Sequence, residues 1–236
     1  TKGEAAGHSQ VSIWREWQQQ DASQLTSLRS KPKPTGKPIL TTHAVPVDLA
    51  FDAYETERGI ACDRIGLVMP TSLCSGQVAE LIVADLNARG TLPGGLSRFV
   101  ALAHTEGCGS ANAEELYLQT LVGHLSHPFT QRALLLEHGC EKTHNDAVRH
   151  WLTERGEAIG DLGFASVQMD GGIEKVRQRV VAWFEQNLAS MPVVKKVHAT
   201  ASSLNIAVLS SGTLDDQAKH CIVALGAGSV AAGGTA

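Results

Sequence analysis

From about residue 65 the chain settles into a repeating pattern, in which short apolar runs alternate with longer amphipathic stretches. The runs at 65–69, 99–103, 133–136, 164–168 and 204–209 have the length and apolar character of strands. Between them, residues 78–86, 116–125, 146–152 and 173–188 have helical spacing; in the last, Ile173, Val176, Val180, Phe184 and Leu188 fall on one face. Strands that alternate with helices imply right-handed crossovers and a parallel sheet. The predicted fold is therefore α/β, a Rossmann-like parallel sheet with helices on both faces.

The flanks follow other patterns. Ile13, Trp14, Trp17, Leu25 and Leu28 have roughly helical spacing within the Gln-rich segment 12–29. After it, Pro32, Pro34 and Pro38 stand among lysines, which favours extended backbone and removes amide donors. Residues 1–38 are thus expected to be an N-terminal helix and a Pro/Lys linker, and 39–200 an α/β catalytic domain. Residues 201–236 are expected to begin a second α/β domain: the strand at 204–209, a Ser210-Ser211-Gly212 turn and an Ala-rich helix from Asp215. One strand and one helix cannot bury both their faces, so further chain is expected beyond Ala236.

Composition narrows the function classes. The 236 residues carry a net charge of -4 with basic side chains scattered, which lacks the electrostatic footprint of a nucleic-acid binder. No apolar run approaches a membrane span, and residues 1–12 lack the order of a signal peptide. The five cysteines are not spaced as a disulfide framework and are read as reduced, which points to the cytoplasm.

Ligands of a parallel sheet bind outside the carboxyl ends of its strands, and the reactive side chains fall there. The first such loop is Pro70-Thr71-Ser72-Leu73-Cys74-Ser75-Gly76, the second His104-Thr105-Glu106-Gly107-Cys108-Gly109, and the third His138-Gly139-Cys140-Glu141-Lys142. The fourth, Gln168-Met169-Asp170-Gly171-Gly172, adds an amide, a carboxylate and glycines that let backbone amides approach an anionic ligand at a helix start. Three successive loops each deliver one cysteine. Each taken alone reads more simply as an apolar filler, but their equivalent positions favour function. Thiolates with imidazole suit zinc, ferrous iron or an iron–sulfur cluster, and the mixture favours iron. A Cys-His nucleophile pair built on Cys108 or Cys140 is the alternative chemistry.

These four loops, in this order and spacing, resemble the galactarate and altronate dehydratases over roughly residues 59–188. The resemblance implies loss of water from a small anionic sugar acid to give a 2-keto-3-deoxy product, assisted by a divalent metal, often iron, with manganese another possibility. Related members eliminate sulfite from sulfolactate, and a degenerate sugar-acid-binding domain is the non-catalytic alternative. Carried onto this sequence, the expected ligands of the metal are Cys74, His104, Cys108 and Cys140. His104, Glu141 and Lys142 are the expected catalytic residues, with Arg64, Thr71, Ser72, Gln168, Gly171 and Gly172 around the substrate. Two segments depart from the family pattern, Gly59-Ile60-Ala61-Cys62-Asp63-Arg64 before the first strand and Ser210-Ser211-Gly212-Thr213-Leu214-Asp215-Asp216 after the last. The family's small N-terminal β domain is not visible in residues 1–58 and is expected to be absent, separate or removed. A homo-oligomer is a further expectation.

Overall fold

Four of the five apolar runs pair as parallel strands. In a computed structural model of the chain, residues 48–90, 92–108, 114–157, 162–191, 194–208 and 212–235 are described. The expected N-terminal helix and linker over 1–38 lie outside them. The central sheet is β3 (Ile65–Pro70), β4 (Arg98–Ala101), β5 (Thr130–Glu137) and β6 (Leu162–Ser166), in the spatial order β4-β3-β5-β6. Every pairing in it is parallel. The chain moves from β3 to β4 on one side and then back to β5 on the other, so the strand order reverses between β3 and β5.

Helices α1 (Leu73–Ala88), α2 (Glu114–Leu125), α3 (Asn145–Arg155) and α4 (Ile173–Ala189) fill the crossovers. Alternate residues of a strand face opposite sides, and both sides here are apolar. Val68, Leu134, Leu136 and Ala165 join Val78, Ile82, Val176, Val180 and Phe184 on the α1/α4 side. Leu67, Met69, Ala133 and Leu135 join Leu118, Leu121, Val148 and Trp151 on the α2/α3 side. Helices therefore cover both faces, as predicted.

The termini of these helices have local causes. Ser72 caps α1 and shares a capping box with Ser75. His144 caps α3 by accepting from the Ala147 amide, and α3 ends at Gly156 with φ 64°, a left-handed position that favours glycine. By contrast, α4 starts at Gly172 with no side-chain cap.

A second, three-stranded antiparallel sheet was not expected. It joins β1 (Ala50–Thr56), β2 (Gly59–Ala61) and β7 (Lys196–Thr200) in the order β2-β1-β7. The run at 204–209 also departs from expectation: residues 204–208 form no strand, and Asn205 makes an isolated bridge to Thr235. The helix expected from Asp215 is α5 (Asp216–Ala231), with Asp215 as its cap.

Candidate functional site at the carboxyl edge

The reversal of strand order puts a crevice between the carboxyl ends of β3 and β5, the usual ligand position in an open parallel sheet. Glu141, from the loop after β5, reaches across that crevice to the loop after β3. Its side chain is buried (5% exposed) and accepts from the Thr71 hydroxyl at 2.8 Å and the Ser72 hydroxyl at 3.0 Å. It also accepts three backbone amides, from His138 (2.8 Å), Gly139 (2.6 Å) and Cys140 (2.9 Å). Burial alone would raise its carboxyl, but the backbone amides, with the Thr71 hydroxyl, overcome that and draw it down to about 2. The residue is a carboxylate at neutral pH that ties two loops together.

His104, at the end of β4, turns its ring under the same loop. Its Nδ1 accepts the Glu106 amide at 3.2 Å, so Nε2 carries the proton and donates to the Pro70 carbonyl at 2.8 Å. Tyr117 of α2 packs edge-on against that ring, and its hydroxyl donates to the Thr71 carbonyl at 2.9 Å. Burial, reinforced by the Glu141 and Glu106 charges, pushes the Tyr117 phenol well above its ordinary value, so it stays a hydrogen-bond donor. Tyr117 escaped the sequence reading because it sits within the expected helix at 116–125, where an aromatic is ordinarily core. Only the polar end of its ring distinguishes it.

On the far side of Glu141, His138 Nδ1 lies 3.3 Å from Cys140 Sγ and 3.5 Å from the Gln168 amide. Gly139, with φ 117°, is in a conformation that L side chains rarely adopt, and a Cβ there would press on Gln168, 2.9 Å from its Oε1 and 3.0 Å from its Cβ. Gln168 thus leans over the third loop from the fourth. Next to it, Gly171 (φ 86°) and Gly172 (φ 99°) make the turn into α4 and leave its first-turn amides without a side-chain partner. Lys142 is exposed beside this edge.

Thr71, Ser72, Cys74, His104, Cys108, Cys140, Glu141, Lys142, Gln168, Gly171 and Gly172 therefore all stand on the loops of one sheet edge. Arg64 does not. It precedes β3, whereas Thr71 follows it, which separates them by about 20 Å of extended chain. Arg64 is buried, lies over the Tyr54 ring and donates through Nη1 to the Gly95 carbonyl at 3.0 Å. Among the described residues, its Nε and Nη2 have no hydrogen-bond partner.

The expected metal ligands do not close on one point. Cys74 lies beside Cys108, Cys140 turns to His138, and both nitrogens of His104 are engaged by backbone groups. Among the described residues, no group of three or more His, Cys, Asp or Glu side chains is arranged to hold a metal ion. As folded, this donor set does not fit the ion that the resemblance implies. A hollow of about 270 Å³ elsewhere, lined by Leu134, Phe164, Arg179, Ala182, Trp183 and Gln186, has no group of convergent titratable side chains and is not a rival.

Residues 64–192 match the family model described as D-galactarate dehydratase/Altronate hydrolase, second domain. The matched span runs from Arg64 to beyond the end of α4 and includes all four loops. No curated protein and no solved structure matches the chain significantly.

Proposed function

Because the chain belongs to the D-galactarate dehydratase/altronate hydrolase family, we propose that its carboxyl-edge site eliminates water from a small hydroxylated sugar acid to give a keto acid. The observation that supports this most is the convergence of the four matched loops on one crevice, the first and third of them tied together by Glu141. The substrate carboxylate docks on the first-turn amides of α4 that follow Gly171 and Gly172 and have no side-chain cap, where the helix start favours negative charge, with Lys142 and Gln168 beside it.

Elimination needs a proton taken from the carbon beside the carboxylate and one given to the departing hydroxyl. Glu141, expected from the sequence as one of two candidates with His104 to exchange that proton, has five donors on its two oxygens. We assign it instead to positioning: it holds Thr71, Ser72 and the third loop in register. Proton exchange falls to His104, whose imidazole leaves Glu106 or Pro70 to meet substrate. The divalent ion implied by the resemblance, iron first and manganese next, enters as a question of uptake, and no step above runs through it. A cytoplasmic location and a homo-oligomer belong to the same proposal. Among the described residues, no helix is long and apolar enough to cross a membrane.

The test is a keto-acid assay over a panel of aldonic and aldaric acids on anaerobically purified protein, with its metal content measured in the same preparation. Keto acid from at least one member, reduced about 100-fold or more by His104→Ala, supports the lyase. Saturable sugar-acid binding without product would replace it with a non-catalytic binding domain.

A further inference from the structure

The roles assigned above leave the three thiols of the carboxyl edge unused. Cys74 lies in the first turn of α1 and Cys108 at the end of the second loop, and the backbone holds those two segments together. The Leu73 amide donates to the Glu106 carbonyl at 3.1 Å. Gly107, with φ 99°, lies so close to the first loop that a Cβ would overlap the Thr71 carbonyl and come within 2.8 Å of Ser72 Cα. Cys74 and Cys108 each stand one residue beyond these contacts, on the same side of the crevice. Burial, then Cys74, and less strongly Cys140 and Glu141 push the Cys108 thiol up, and Cys74 and Cys108 are both exposed. The third thiol of the edge, Cys140, is turned to His138 at 3.3 Å.

We propose that Cys74 and Cys108 are a redox-active pair that forms a reversible disulfide across the first two loops. The oxidant class is a hydroperoxide. A thiolate of the pair attacks the peroxide oxygen, the O–O bond breaks, and an alcohol or water leaves a sulfenic acid on that sulfur. The other thiol then attacks the sulfenic sulfur, the S–O bond breaks and water leaves. The two thiols together lose two protons and two electrons, which reduce the peroxide. Both cysteines are carried on segments already joined by backbone contacts, and the disulfide requires their Cα atoms to come within about 7 Å.

The bond locks Ser72, which contacts Glu141, to the loop that carries His104, so oxidation arrests the site until a dithiol reduces it. That consequence rests on the lyase reading; the bond itself does not. The full chain is treated with a small excess of hydrogen peroxide, its remaining thiols are alkylated, and its peptides are mapped without reduction. A linked Cys74–Cys108 peptide as the main oxidised species, lost in Cys74→Ser and reversed by dithiothreitol, is the expected result. Alkylation of both cysteines while others oxidise, or a bridge from either to Cys140, overturns it. Peptide mapping needs no turnover, so a chain that forms the bridge yet never makes keto acid sinks the lyase and leaves the disulfide standing.

Discussion

Glu141 keeps its negative charge in a place where burial works against it, and the reason is the number of donors aimed at it. Three amides and two hydroxyls outweigh the desolvation, so its carboxyl titrates at about 2 when folded instead of near the ordinary 4.5. A carboxyl depressed on folding stabilises the protein above its unfolded pKa, and that stability is lost as pH falls from about 4.5 through 2. The depression corresponds to about 3 kcal/mol. Glu141→Gln sets an NH₂ group against amides that need an acceptor, and should cost about 2–4 kcal/mol near pH 7. Urea midpoints measured near pH 7 and again near pH 3 should show the wild-type advantage shrinking in acid. An advantage independent of pH would mean that the charge is not what the loops depend on.

At the scale of elements, the pattern of the chain revealed what was buried on both faces and missed what was not. The runs that became β3, β4, β5 and β6 are nearly continuous in apolar residues because helices cover both sides of the sheet. The strands β1 and β7 escaped because they are polar and largely exposed, as in Asp52, Glu55 and Lys196, with Ala53 and Ala199 as their small buried contacts. Residues 204–208 erred in the opposite sense: they are apolar enough for a strand but, among the described residues, pair only with Thr235. The site was legible through its loops, whose unusual residues all reach one edge. The place of Arg64 and the role of Tyr117 were not, since both depend on which end of a strand or which face of a helix a residue occupies. The best-read helix, α4, also gives the sharpest stability test. Phe184 is fully buried, edge-on to Phe99 at 5.0 Å and to Trp183 at 4.9 Å. Phe184→Ala should destabilise by about 3–5 kcal/mol, read from denaturant unfolding. A loss below about 1 kcal/mol would place α4 outside the cooperative core.

For the molecule as a whole, hydrogen bonding and burial are distributed unevenly between its two sheets. Strands β3 and β5 are each paired on both sides, and both their faces lie under helices. In the other sheet, among the described residues, only β1 is paired on both sides, and every residue of β1 and β7 except Ala53 and Ala199 is exposed or half-buried. Local opening takes less free energy where few apolar contacts must break, so amide exchange should rank the elements in that order. Amides of β3 and β5 should exchange most slowly, at the rate set by global unfolding, while those of β1, β2 and β7 exchange through smaller openings. The carboxyl-edge loops are anchored to the slow strands at one end only, and the Glu141 contacts are what should hold them. In Glu141→Gln, hydrogen–deuterium exchange should therefore rise first at residues 71–75 and 138–142, with β3 and β5 little changed. Equal acceleration across β1 and β7 would show that the two sheets open together, and that Glu141 supports the whole fold rather than the crevice it spans.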